Sequence, residues 1–451
     1  MRMRARERAL SLLLLATAGA APSGRPPVSP PVAAPMPVLV VDTPAPSLER
    51  LRLREAIERA LQRSPAALLA QQNEELAHAQ VTQVRAQALP TLTAGGTYTR
   101  LDDDRRFGDQ VFLPADMLNG NLTLSVPLLA PQKWGAWTQA RDNHRAARLE
   151  AVDARRQVAV RVAHAYLAVV AAQRVVEVNG RAVELAQAHH EYARKRLGGG
   201  VGSQLDEVRA QQLWREEAGR LLRARAELLT AQGTLGVLLG EERPIDAAEP
   251  PELPAVAPDS GADTLSQLYQ QMQGMRADML AQQARLRAAQ RAVNLRFVDY
   301  LPSLVGIFSP MYQNPPSVTQ PQLAWQAQLQ LVLPLYDGGL RYGVLRQQRA
   351  QRTIAALQLQ GTVQQSKVDL QVGFGVLQRG ELALAEAHKA VELARRAVDI
   401  AALSYRLGAA TNLELLDAQR RARDSETAAV QAEDEVRRAR LDLLVASGQF
   451  P

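Results

Sequence analysis

Residues 158–200 read VAVRVAHAYLAVVAAQRVVEVNGRAVELAQAHHEYARKRLGGG, and the spacing of their apolar side chains decides the fold class. Val158, Val162, Ala165, Val169, Ala172, Val176, Val183, Ala186, Ala193 and Leu197 fall at alternating four- and three-residue steps, interrupted only by Asn179 and His190. That rhythm is the seam of a coiled coil, and its small residues let a partner helix come close. The pattern extends back to Pro131 and stops at Gly198-Gly199-Gly200, so it predicts one helix over about 131–197. Such a helix is roughly 100 Å long at 1.5 Å per residue. This length suits a rod or a tube spanning a compartment and argues against a compact enzyme.

The seam is written twice. From Val162 onward, adding 208 to its positions gives Leu370, Gly373, Leu377, Gly380, Leu384, Val391, Ala394, Ala401 and Tyr405, with Ala387 and Val398 filling the two polar gaps. Three landmarks keep the same order: Leu205–Gln211 aligns on Leu413–Gln419, Leu89-Pro90-Thr91-Leu92 on Leu301-Pro302-Ser303-Leu304, and Val126-Pro127-Leu128-Leu129 on Leu333-Pro334-Leu335-Tyr336. A tandem repeat follows, with copies at 47–240 and 264–447 joined by a Pro- and acid-rich linker at 241–263.

Each copy predicts a helix, a proline, two strand-like runs around a polar loop, a second proline, the long helix, a glycine turn and a returning helix. The strands are expected at about 91–100 and 119–128, then 303–312 and 323–333; the long helices at about 131–197 and 340–407; the return helices at 203–240 and 411–447. Gly200 and Gly408 mark the turns, and Ser203 and Thr411 stand as N-caps. Thr411-Asn412-Leu413-Glu414 fits a capping box, and Ser203-Gln204-Leu205-Asp206 is a shorter-armed version. Each copy therefore contains an antiparallel helical hairpin. The glycine turn lacks both phosphate-loop spacings and follows a helix, so it is not read as a nucleotide site. Ser64-Pro65 is expected to break the first helix of copy one, and copy two has no proline there.

The strand-like runs alternate with period two. Leu323, Trp325, Ala327, Leu329, Leu331 and Leu333 oppose Gln326, Gln328 and Gln330; Leu122, Leu124 and Val126 oppose Asn121, Thr123 and Ser125; Leu92, Ala94 and Tyr98 oppose Thr91, Thr93, Thr97 and Thr99. A transmembrane β-strand needs an apolar lipid face and a wet face. The alternation alone fits a soluble sandwich equally well. Residues 303–309 alternate least regularly. Four strands cannot close a barrel, so lipid as solvent would require an oligomer.

Composition narrows the function classes. Among 451 residues there is no cysteine, so disulfides, thiolate metal sites, a cysteine nucleophile and an N-terminal lipid on cysteine are excluded. Arg2, Arg4, Arg6 and Arg8, then Leu10–Ala18, then Ala18-Gly19-Ala20 form the charged, apolar and cleavage regions of a secretory signal over 1–20, followed by a Pro-rich arm over 21–46. The formal charge of +7 is partly that signal, and the remaining arginines are scattered beside glutamates along helices, which excludes a nucleic-acid surface. No catalytic constellation, cofactor motif or metal-ligand spacing is present: His78, His144, His164, His189, His190 and His388 form no H-E-x-x-H, and adjacent His189 and His190 point to different helix faces. Asp102-Asp103-Asp104 could hold a cation, but Arg100, Arg105 and Arg106 beside it point to a solvated loop. Trp134 and Trp137 suit either a membrane interface or helix packing.

The chain resembles the TolC family of outer-membrane efflux proteins over about residues 47–447. The resemblance is carried by Pro334-Leu335-Tyr336-Asp337-Gly338-Gly339 at the strand-to-helix junction and by Tyr405-Arg406-Leu407-Gly408-Ala409-Ala410-Thr411-Asn412-Leu413-Glu414-Leu415-Leu416-Asp417-Ala418-Gln419 at the second turn. Copy one departs at its junction, reading Ala130-Pro131-Gln132-Lys133-Trp134. The resemblance implies a homotrimer, mainly α. Each chain would give four strands to one twelve-stranded barrel in outer-membrane lipid and its hairpins to a periplasmic α-barrel, with 241–263 near a partly β equator. It further implies the outer-membrane channel of a tripartite efflux or type I secretion system, partnered by a periplasmic adaptor and an inner-membrane pump. Gly200, Ser203, Leu205, Gly408, Thr411 and Leu413 are then the expected adaptor-docking tips. Asp399, nine residues before Gly408, matches the family's acidic pore constriction, and Glu191 follows from it by the internal repeat. A periplasmic adaptor or coiled-coil scaffold is the alternative, but an adaptor has one hairpin per chain and a scaffold needs neither the alternating runs nor the prolines.

Overall fold

The computed structural model describes residues 48–450 apart from 109, 255–267, 271, 273 and 317–319. The expected signal, the Pro-rich arm and residues 255–263 of the linker lie outside the described residues. In chain order the elements are β1 (Arg50–Leu51), α1 (Leu53–Arg63), α2 (Pro65–Gln87), β2 (Thr91–Arg100), β3 (Arg105–Phe107), β4 (Gln110–Leu113), β5 (Asp116–Leu129), α3 (Pro131–Gly198), α4 (Gln204–Leu239), β6 (Asp246–Ala247), α5 (Ala277–Asn294), a 3-10 turn (Leu295–Tyr300), β7 (Ser303–Asn314), β8 (Leu323–Val332), α6 (Leu340–Arg406) and α7 (Asn412–Ser447).

At one end, β2, β5, β7 and β8 pair in that order, every pair antiparallel, so the two copies meet between β5 and β7. The register puts Leu92 beside Leu124, Leu124 beside Phe308 and Phe308 beside Ala327, giving one apolar face. The opposite face carries Thr93 beside Thr123 and Ser309 beside Gln326, and Ser309 Oγ donates to Thr123 Oγ1 at 3.4 Å. On the apolar face Leu92, Leu323, Trp325, Leu329 and Leu331 are all more than 60% exposed, with no cover from the described residues. The polar loop between β2 and β5 is not bare loop as expected: β3 and β4 form a hairpin in it.

Prolines and aspartate set the strand-to-helix corners differently in the two copies. α3 starts with Pro131 in the first turn, where a missing N–H costs nothing. α6 starts after Gly339, and there the Asp337 carboxylate accepts from the N–H groups of Gly339 and Arg341, both at 3.1 Å. The Asp-Gly-Gly sequence is thus a helix cap that copy one replaces with proline.

Toward the sheet, α2, α3, α5 and α6 lie side by side; toward the glycine turns, α4 packs on α3, α3 on α7 and α7 on α6. Only α3 and α6 run the whole length. Between the two stretches sits an equator, where β1 pairs with β6 in parallel and a core gathers Leu51, Ala56, Ala60, Val162, Tyr166 and Leu239. The buried Tyr166 hydroxyl lies 3.0 Å from the Leu51 carbonyl and 2.8 Å from that of Glu249. The most apolar 18 residues of α3 would pass by composition for a membrane span, yet Val158, Val162, Tyr166, Val169 and Val170 in α3 are packed in this core. Gly240 ends α4 at φ 75°, and a Cβ there would stand 2.8 Å from the Arg63 carbonyl, so the α1–α4 approach needs glycine.

The first helix of copy one breaks at Ser64-Pro65 as expected. Copy two breaks as well, without a proline: Arg276 is extended at ψ 118°. Its guanidinium pairs with Asp278 at 2.7 Å and donates to the Ala446 carbonyl at 3.4 Å, so tertiary bonds hold the break that proline holds in copy one.

Candidate functional site

The two glycine turns lie at the end of the molecule opposite the sheet. Gly200 and Gly408 adopt φ of 72° and 77°, a left-handed backbone that reverses the chain with no Cβ to strain. The Ser203 hydroxyl accepts from Leu205 N–H at 3.2 Å and the Thr411 hydroxyl from Glu414 N–H at 3.3 Å, closing the first turn of each return helix. Leu205 and Leu413 stand outward, 54% and 57% exposed, as do Val201 and Leu407. Each turn therefore presents apolar side chains on a capped, rigid base.

Behind the turns, the two hairpins are joined by a small apolar cluster of Ala186, Leu213 and Leu416 and by polar contacts. Asn412, the first residue of α7, is buried, with its Oδ1 2.7 Å from His189 Nε2 and its Nδ2 donating to the Asp206 carbonyl at 3.1 Å. Hairpin two thus inserts an amide into the mouth between α3 and α4. Tyr405 packs edge-on to His189 and Tyr192, and the Arg196 guanidinium lies 5.1 Å from its ring centre. Burial raises the Tyr405 phenol above its ordinary value and pushes the His189 imidazole below its own. About two to three turns further along, Glu216 pairs with Arg420 at 3.1 Å, and the Glu217 carboxylate pairs with Arg423 where both side chains are almost fully enclosed.

His190 faces the other way. It is stacked on Trp214 with ring centres 5.6 Å apart and lies 2.9 Å from the Glu207 carboxylate, so it ties α3 to α4 within hairpin one. This is why a histidine stands at a seam position: a buried polar group there has a partner.

Asp399 and Glu191 both lie on exposed faces. Asp399 has no ion pair among the described residues, Glu191 accepts from Gln187 Nε2 at 3.2 Å, and neither joins the hairpins. Among the residues that do, Asn412, Glu217 and Arg423 were not singled out from the sequence, and His189 was noted there only for facing away from His190. Their only signal was polarity inside otherwise apolar helix faces. In the far loop, Asp102 pairs with Arg105 at 2.7 Å and Asp104 with Arg106 at 3.3 Å, and Trp137 packs under Arg85 of α2. Among the described residues no three His, Cys, Asp or Glu are grouped to hold a metal.

Comparison with known proteins places this architecture. The family described as outer membrane efflux protein matches residues 56–241 and again 268–449, one match on each copy. The chain belongs to the outer membrane efflux protein family. Within it, the probable efflux pump outer membrane protein TtgC of Pseudomonas putida is 26% identical over 266 residues, covering 57% of this chain and 54% of TtgC. The match thus spans about half the length of that relative. Outer membrane protein OprJ of Pseudomonas aeruginosa is 26% identical over 401 residues, covering 83% of this chain and 79% of OprJ. The crystal structure of the outer membrane protein VceC from Vibrio cholerae shares the fold, with a TM-score of 0.71 over 88% of this chain and 96% of VceC at 23% identity.

Proposed function

We propose that this family member is the outer-membrane channel of a tripartite efflux or type I secretion system, acting as a homotrimer with a periplasmic adaptor and an inner-membrane pump. One observation carries the reading: the four-stranded sheet is apolar and exposed on one face, hydrogen-bonded and polar on the other, and open at both β2 and β8. Lipid tolerates such strands only in a closed barrel, and closure needs strands from other copies.

The helices support the same oligomer. On α6, Leu357, Val368, Val372, Leu382, Leu393 and Ile400 are each more than half exposed. At about 100° per residue they fall within an arc of about 90°, well away from the seam that packs on α7. A helix apolar on two sides fits between two neighbours, and the chain supplies only one. Two hairpins per chain and a membrane-type sheet disfavour the adaptor and scaffold alternatives.

The turns are the end-on surface for an adaptor, through Gly200, Ser203 and Leu205 in one hairpin and Gly408, Thr411 and Leu413 in the other. In the trimer, Asp399 and more weakly Glu191 form acidic rings in the periplasmic constriction, which attract cations and repel anions. The protein is expected to sediment with outer membranes and resist carbonate extraction. Gly408→Pro and Leu413→Asp are expected to abolish export while the trimer still reaches the outer membrane. Unchanged export in both variants would move docking to the side of the helical barrel.

A further inference from the structure

The adjacent buried histidines His189 and His190 hold different interfaces, one between the two hairpins and one within hairpin one. His189 bridges the two hairpins. Because Asn412 Nδ2 donates to the Asp206 carbonyl, its Oδ1 is turned toward His189, which must donate from Nε2. The neutral Nε2–H tautomer therefore satisfies the contact completely. A second proton, on Nδ1, adds nothing to that hydrogen bond and places a cation in an enclosed site.

The groups around His189 give that cation little support. From α3 it meets His190 and, across the Tyr405 ring, Tyr192 and Arg196; from α6, Tyr405 itself; from α7, the neutral Asn412; from α4, Asp206, the carboxylate that acts on it among the described residues. Burial outweighs Asp206, so the imidazole resists protonation while the hairpins are packed. His190 is placed differently: its Nε2 meets the Glu207 carboxylate at 2.9 Å, a contact that lies within hairpin one and does not touch hairpin two.

We propose that His189 and Asn412 form an acid-released latch between the two hairpin tips, and that proton uptake by His189 frees the tip of hairpin two from that of hairpin one, while the ion pairs further along keep the hairpins together and the His190–Glu207 contact keeps hairpin one intact. The latch rests on the channel reading above, in which parting of the tips opens the periplasmic end. The sign is set by linkage. A base whose packed-state pKa lies below its exposed value stabilises the packed state fully above about pH 6.5, the ordinary imidazole value, and that stability is lost as pH falls. The packed-to-parted ratio falls about tenfold for each pKa unit of depression. An acidified periplasm would therefore favour the parted state.

The test combines conductance and mobility. The purified protein is recorded in planar bilayers between pH 7.5 and 5.5, and a nitroxide is placed on Ala409→Cys, which the cysteine-free chain makes a unique label. Conductance and label mobility are expected to rise together on acidification in the wild type and to stay at the pH 7.5 level in His189→Gln. His190→Gln is expected to keep the response. Asn412→Asp places a carboxylate against His189 and is expected to reverse it, giving tighter tips at acid pH. A pH response unchanged in His189→Gln, or unreversed in Asn412→Asp, overturns the latch. Should His189→Gln fail to fold, the sign of the Asn412→Asp response decides alone. Channels that conduct without pH dependence defeat the latch and leave the channel reading standing; absence of any conductance with mobility still pH-dependent defeats the channel reading and leaves the latch.

Discussion

α3 and α6 carry the same seam, yet eighteen of the 68 residues of α3 are buried and only five of the 67 of α6. The difference is one of position. α3 is surrounded by α1, α2, α4, α5 and α7, whereas α6 packs mainly on α5 and α7, with no helix of the described residues packed along its other flank. Its free flank carries the second apolar stripe. Two copies of one pattern thus have unequal tasks: the first builds the core of the chain, and the second leaves an apolar flank that the proposed trimer would cover.

Charging each helix should therefore produce unlike failures, and this is the largest effect expected. Val162→Asp buries a carboxylate without a partner, at a cost of several kcal/mol, and is expected to abolish folding of the chain. Val372→Asp with Leu382→Asp is expected to leave helix content intact by circular dichroism and to abolish the trimer in detergent. Trimers persisting in the double variant would place that stripe away from the boundary between chains.

A smaller effect separates two ion pairs that both join the copies. Arg423 and Glu217 are 6% and 4% exposed in their side chains, so Arg423→Ala leaves a buried carboxylate and is expected to cost about 3–5 kcal/mol in urea unfolding. Arg181 and Glu426 are 52% and 18% exposed, and Arg181→Ala is expected to cost under about 1 kcal/mol. Equal costs would contradict the enclosed geometry around Arg423. The smallest effect concerns the acids. Asp399→Ala is expected to lower cation selectivity and weaken block by multivalent cations in bilayer recordings, with Glu191→Ala acting less; selectivity and block identical to the wild type would put Asp399 outside the lumen.

Much of this fold was legible in the sequence because its long-range order is periodic. The seam, the glycines and the Leu-Pro corners are local signals repeated at a nearly constant offset, and the strands show their two faces by alternation. What escaped depends on contacts between distant residues. The break at Arg276 is held by Asp278 and the Ala446 carbonyl, the β3–β4 hairpin pairs arginines with apolar residues in no regular pattern, and Asn412 reads as an ordinary cap residue until α3 and α4 are seen on either side of it. The apolar excess of α6 was visible one residue at a time, but its meaning required knowing which flank the chain itself covers.

In the proposed trimer one chain is an incomplete unit whose sheet edges and α6 flank are covered by other copies. Light scattering of the detergent-purified protein, with the detergent mass subtracted, tests it most directly. The expected result is a particle of three chains that loses strand signal when heat dissociates it. A particle of one chain with its strand signal intact would contradict the account.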